Sequence, residues 1–268
     1  MLEKLSNLPT PLQIITDPVS MIVISIFLFL MVAEALFPGR PLPKIRYWKI
    51  KGICAFIIYF FLSSYLPLLW NDYIAQYKII DLSVLGDYKG ALVALLIYEF
   101  GVYAWHRSMH KSNFLWRVFH QMHHSAERVD TYGTFFFSPM DMIGFTALTS
   151  LAMIWIGFTP QAVVYAIYGA TFLAVIQHTN IKTPQWMGYI FQRPESHSIH
   201  HEKGVHAYNY SDLPLFDIIL GTFRNPKDFS IETGFYNGAS FKIGKMMLFR
   251  DINKGNTQQD STVIKTIL

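Results

Sequence analysis

Ten histidines stand between positions 106 and 206 of this chain, and none elsewhere. Eight fall into three boxes: HRSMH at 106–110, HQMHH at 120–124 and HSIHH at 197–201. Imidazole is a ligand for Fe, Zn, Cu and Ni alike, so the residue type alone does not choose the metal. The spacing is more informative. Positions i and i+3 or i+4 share one face of an α-helix, so His106 and His110 can aim two rings at one point. His120 can pair with His123 or His124, and His197 with His200 or His201. The second histidine of each HH pair turns about 100° from the first, toward a second ion or a bridging direction. Three such segments carry more nitrogen ligands than one ion uses, and two metals are the simpler account. A structural zinc site would use about four ligands and favour cysteine. The chain has one cysteine, Cys54, expected as a small packing residue. The Glu and Glu-x-x-His pairs of carboxylate di-iron bundles are absent from the sequence as well.

The boxes need helices to position them, and the composition points to a membrane. Of 268 residues 52% are hydrophobic, 16% aromatic and 15% charged, where a soluble domain carries about 25% charged residues. Apolar runs at 19–37, 52–70, 91–105, 144–158 and 161–177 read as spans, since a crossing helix needs about 20 apolar residues. The first follows a mixed polar segment and is read as a span, not a cleaved leader. The last two are short, either tilted crossings or a re-entrant hairpin. In both cases the chain before 144 and after 177 lies on one side, which puts every box on one face. The segment between the first two runs holds Arg40, Lys44, Arg46, Lys49 and Lys51 with no acid, so that face is expected to be cytoplasmic. Residues 71–90 carry Asp72, Asp81 and Asp87 and belong opposite. The expected fold is all-α, a multi-pass membrane helical bundle with a cytoplasmic histidine-rich helical cap, in a bacterial inner membrane or the endoplasmic reticulum. The polar stretch 253–262 is expected to be disordered. A net charge of +4 with no Lys/Arg run among aromatics argues against a nucleic-acid partner.

With Trp105 and Arg107 beside the first box, Asn209 and Tyr210, and the string LGTF at 220–223, the histidine pattern resembles the fatty acid hydroxylase/sterol desaturase superfamily. The resemblance covers 91–226, leaving 1–90 as N-terminal membrane helices and 227–268 as a C-terminal tail. It implies a membrane-embedded helical fold whose cap holds two irons, with zinc a substitute in purified protein. It also implies O2-dependent hydroxylation or desaturation of a lipid C–H bond. The ligand role carries onto His106, His110, His120, His123, His124, His197, His200 and His201. His178, in the string QHTN, matches a recurring family position, and His206 is carried as a ligand or as a donor beside one. Two departures stand out: Ser138 and Pro139 where relatives often have His-Pro, and Phe216 where Trp usually precedes Asp217. Neither touches a ligand, and both could accompany a change of substrate.

Around the boxes, Glu99 lies two helical turns before His106 on the same face. A carboxylate inside a span is costly and usually functional, so Glu99 is expected to accept an imidazole N–H. Asn209 and Asp217 are expected in the same supporting role. Asp141 reads as a helix-start charge, and Glu127 and Arg128 as a solvated helix face. Phe135, Phe136 and Phe137 are candidate walls of an acyl or sterol passage. With no GxGxxG, no cysteine cluster and no haem-binding domain in the sequence, electrons must come from a separate ferredoxin- or cytochrome-type donor. The competing reading is a metal-transporting or metal-sensing membrane protein, whose histidines should recur along a pathway at mid-bilayer depth.

Overall fold

The computed structural model describes residues 7–253; the disorder expected from the polar tail falls almost wholly outside them. Short α1 (Pro11–Thr16) leads into α2 (Pro18–Leu36), α3 (Trp48–Gln76) and α4 (Gly86–Lys111). The second box closes on α5 (Gln121–His124), followed by α6 (Pro139–Met153) and α7 (Pro160–Ile176). Short α8 (Pro194–His200), α9 (Pro214–Ile219) and α10 (Ile243–Met247) complete the cap. Among the described residues there is no named strand, and two isolated bridges join Pro38 to Ile181 and Glu202 to Thr233.

The helix starts follow the local chemistry. Asp17, Ser138 and Thr159 each accept a backbone N–H of the first turn, and each is followed by proline at the first helical position. That signal starts α6 at Pro139, five residues earlier than the apolar run suggests. The third run extends at both ends, to Gly86 and Lys111. One continuous α4 carries Glu99, His106 and His110 together, so the span and the first box form a single rigid element.

α4 packs along α7 and α6, α3 along α6, and α2 along α7. Ala94, Ala162 and Ala166 are buried at the first of these contacts, and a Cβ on Gly90 would come within 3.1 Å of that of Ala162. Small residues let the helices approach closely, as in membrane bundles. α2 and α3 are long and apolar enough to cross a membrane. Their Leu28, Phe29, Val32, Ile53, Ile57 and Ile58 face outward, a belt whose extent suits lipid better than water. Cys54 lies on this outer surface and is not the packing residue expected.

One end of the bundle grips the cap. Glu34, near the end of α2, accepts Thr131 N–H at 2.8 Å, the Thr131 hydroxyl at 2.6 Å and Asn180 N–H at 3.0 Å. Trp48 donates its indole N–H to Asp130 at 2.9 Å. A Cβ on Gly52 would lie 2.2 Å from the Tyr132 carbonyl oxygen, so only glycine permits that approach. Glu127 and Arg128 belong to this clamp and not to a solvated helix face. Glu127 accepts Ser240 N–H, and Arg128 binds Asp130 and the Pro43 carbonyl.

Candidate metal centre

The boxes converge at the gripped end as two groups. His106, His110, His120, His124 and His200 form one; His123, His178, His197 and His201 form the other; within each group the candidate ligand atoms lie within 4.8 Å of one another. The spacing left the pairing within HQMHH and HSIHH open, and the structure pairs His120 with His124 and His197 with His201. Each HH pair is split between the groups, as the 100° turn between neighbours requires. His120 ends a π-helical turn, Trp116–His120, before α5 begins. Such single turns recur at functional sites.

The hydrogen bonds test whether these side chains fit a cation. His106 Nδ1 lies 2.7 Å from the Tyr210 carbonyl and His200 Nδ1 lies 2.7 Å from that of Tyr208. A carbonyl only accepts, so each Nδ1 carries the proton and each Nε2 presents a lone pair. His120 Nδ1 faces the Asp141 carboxylate at 2.8 Å, the partner that fixes the same tautomer in metal-bound histidines. The bare Nε2 atoms of His106 and His120 then meet at 2.8 Å. In the second group His178 Nδ1 donates to the Ala174 carbonyl at 2.7 Å. Its Nε2 stands 3.0 Å from both His123 Nε2 and His197 Nε2. Two bare nitrogens such as those of His106 and His120 repel unless a cation sits between them, whereas in the second group an Nε2–H on His123 or His197 would hydrogen-bond to His178 Nε2 when no ion is bound. The Nε2 atoms of His110, His124 and His200 are buried without a hydrogen-bond partner, where an unpaired polar atom is costly. Both groups fit a metal ion.

Burial, reinforced by the neighbouring rings, keeps His120, His123, His124, His197, His200 and His201 neutral, well below the usual imidazole range. Burial also brings His178 and His206 down to about 4. Neutral imidazole is the metal-binding form. His206 stands outside both groups, with φ 42° and its Nδ1 3.2 Å from His124 Nδ1.

Glu99, Asn209 and Asp217 do not contact an imidazole in any hydrogen bond formed here; they hold the loop that does. Glu99 Oε2 accepts the Ser211 hydroxyl and the Asp212 and Leu213 N–H groups at 3.0–3.1 Å. Asp217 accepts Tyr210 N–H and Ser211 N–H, both at 2.9 Å. Asn209 donates to the Ser196 and Arg224 carbonyls, in a left-handed backbone shared with Tyr208. The reason is geometric: the ring N–H groups of His106 and His200 are taken by the loop's own Tyr210 and Tyr208 carbonyls. On the other flank, buried Arg193 pairs with Glu195 at 2.9 Å and donates to Thr183, Asn225 and Pro226. That network fixes the start of α8.

Sequence reasoning missed Asp141 as the partner of His120. Its signal was there: Asp141 is an acid in an otherwise apolar helix, the same feature that singled out Glu99. The Tyr208 and Tyr210 carbonyls leave no signal, because every residue has one.

Beside the histidines is a cavity of about 60 Å³, walled by Val102, Phe137, Phe145, Gln177, Asp212 and five of the rings. Tyr59, Tyr98, Phe135 and Ala174 separate it from a chamber of about 660 Å³ inside the bundle. Phe135 and Phe137 are therefore cavity walls, whereas Phe136 packs against Trp48 at 5.3 Å between ring centroids.

Comparison with known proteins agrees with this geometry. Residues 91–222 match the family described as fatty acid hydroxylase. An ornithine lipid hydroxylase of Rhizobium tropici is 34% identical over 140 residues, 50% of this chain and 42% of that protein. Sphinganine C4-monooxygenase 2 of Arabidopsis thaliana is 28% identical over 49% of this chain and 53% of its own. Cholesterol 25-hydroxylase of Rattus norvegicus is 25% identical over 50% and 46%. The chain spans about half the length of the curated relatives it matches. No solved structure matches it. The matched segment contains the first two boxes, His178 and the whole third box, and the family match and these relatives together fit the fatty acid hydroxylase/sterol desaturase superfamily.

Proposed function

We propose that this chain is a membrane-embedded lipid oxygenase holding two irons, one in each histidine group, that hydroxylates or desaturates a lipid C–H bond with O2. The observation that carries this reading is the division of neighbouring histidines between two buried groups whose facing nitrogens can each hold a cation. Two bound irons supply the activation of O2 and the removal of hydrogen from an unactivated carbon. His106, His110, His120, His124 and His200 hold one ion, and His123, His178, His197 and His201 hold the other. The Tyr210 and Tyr208 carbonyls and Asp141 orient rings of the first group. Val102, Phe137 and Phe145 keep the approach to the rings apolar and dry. The same neutral nitrogens accept zinc when iron is lost.

The lipid comes from the bilayer through the bundle, and electrons come from a separate ferredoxin- or cytochrome-type protein at the histidine face. The cationic segment 40–51 supports a cytoplasmic placement of that face. The transport alternative is not favoured, because the rings gather at one end of the bundle and not along a path through it.

The direct test is mass spectrometry of membrane lipids with and without the protein. A gain of one oxygen or a loss of two hydrogens is expected; unchanged lipids with iron-loaded, reduced protein would defeat the reading. Protein purified anaerobically with iron should carry close to two ions per chain. Reporters fused after Arg128 and after Pro226 should share the cytoplasmic face, and one within 81–90 should report the opposite.

A further inference from the structure

The two cavities differ about elevenfold in volume, 660 against 60 Å³, and the small one lies against the rings. An apolar cavity of about 150 Å³ is what accommodates a benzene ring. The inner cavity has room for a few chain carbons and is too small for one aromatic ring, let alone fused rings. Any ion among the histidines takes a share of that space. The chamber imposes no such limit. On α3 it runs from Phe56 to Asn71, fifteen residues or about 22 Å at the helical rise, so it is long enough to hold an extended chain.

The neck decides what passes from one to the other. Tyr59, Tyr98, Phe135 and Ala174 line both cavities. The Tyr59 and Phe135 rings lie 5.1 Å apart, and Tyr59 meets Phe137 edge-on at 6.0 Å. Of these four, Ala174 alone carries no ring and so intrudes least between the two cavities. Phe137 and Phe145 stack at 5.6 Å behind the neck and set the width of the inner cavity. Protein interiors of this density yield little to an oversized guest.

Resting on the lipid-oxygenase reading, we infer that the carbon presented to the histidines belongs to an open aliphatic chain threaded past Ala174, and that fused-ring nuclei are held out of the inner cavity. Lipids whose reacting carbon lies in an acyl or alkyl chain are the substrate class; carbons of a sterol nucleus are not.

Photolabelling of the full-length protein in lipid nanodiscs tests this without reference to turnover. One probe is a fatty acid bearing a diazirine on its chain; the other is a sterol bearing a diazirine in its ring system. The chain probe should label Val102, Phe137 or Phe145, and the ring probe should label them at least tenfold less. Ala174→Phe should reduce inner labelling by the chain probe at least tenfold while labelling of Val163 and Ile167 in the chamber persists. Phe145→Ala, which widens the inner cavity, should admit the ring probe, and it supplies the test should Ala174→Phe fail to fold. Equal inner labelling by both probes in the unmodified protein would overturn the inference, as would inner labelling indifferent to both substitutions. Labelling as expected in a protein that oxidises no lipid would instead overturn the oxygenase reading and leave the neck intact.

Discussion

The two histidine groups use the same side chain and are held in different ways. In the group of five, His106, His120 and His200 donate through Nδ1 to the Tyr210 carbonyl, Asp141 and the Tyr208 carbonyl. In the group of four, His178 alone has such an acceptor, the Ala174 carbonyl, while the Nδ1 atoms of His123, His197 and His201 are buried without a partner. Outer hydrogen bonds fix tautomer and ring direction and raise ligand basicity. The first group is therefore oriented before metal arrives, and the second relies on packing among rings and Phe137. The first should bind more tightly, and the second should lose its ion first on dilution into chelator.

The largest effects come from removing ligands. His120→Ala and His197→Ala should each cut lipid oxidation more than about 100-fold, beyond the range expected from losing an outer partner. Each should lower metal content from two ions to about one while membrane insertion is retained, because insertion follows apolar transfer of the spans. Metal analysis and lipid mass spectrometry read both. If either variant lost both ions completely, the groups would be one unit and the comparison would collapse.

Acid comes next. A buried histidine at about 4, against an ordinary 6.5, binds fewer protons folded than unfolded between those values, so stability falls as pH drops through that window. For His178 alone that amounts to on the order of 3 kcal/mol lost between pH 6.5 and 4. Chelated protein should therefore melt progressively lower from pH 7 to pH 5, and iron-loaded protein should resist until its ions dissociate. A flat melting profile for the chelated form would contradict the burial of these rings.

Asp141→Asn should be milder and confined to one group. The amide oxygen can still accept from His120 but without charge, so affinity at the group of five should fall about tenfold, the lower end for an outer partner. The group of four should be unchanged in the same titration. A matched loss in both would mean that Asp141 supports the cap as a whole.

Much of this was legible in the sequence because it rests on periodicity. The box spacing placed the rings on shared faces and required each HH pair to diverge, and the apolar runs located every long helix. What escaped depends on contacts between segments far apart in the chain. Nothing in HSIHH announces that His200 will meet the Tyr208 carbonyl, and nothing near Arg193 announces Asn225. Glu99 was recognisable as an acid that needs a reason, but its partners lie more than 110 residues later in the chain. Cys54 shows the complementary error: in a bundle surrounded by lipid, an apolar stretch does not say which of its faces is inside.

The smallest effect should come from Glu99→Gln. Glu99 acts on the group of five at one remove: its Oε2 holds Ser211, Asp212 and Leu213, and the same loop presents the Tyr210 carbonyl to His106. A glutamine keeps one oxygen for those donors and places an amide where Oε1 now lies buried without a partner. The loss should be that of a weakened hydrogen-bond set, about 1 kcal/mol or roughly fivefold in affinity. Asp217 still holds Tyr210 and Ser211 from the opposite side, which limits the displacement. Metal titration should show this small shift at the group of five alone, and Glu99→Ala, which removes every acceptor, should enlarge it. Should Glu99→Gln empty that group as fully as His120→Ala does, the carboxylate would be acting on a ring or an ion directly, and the loop would not be its means.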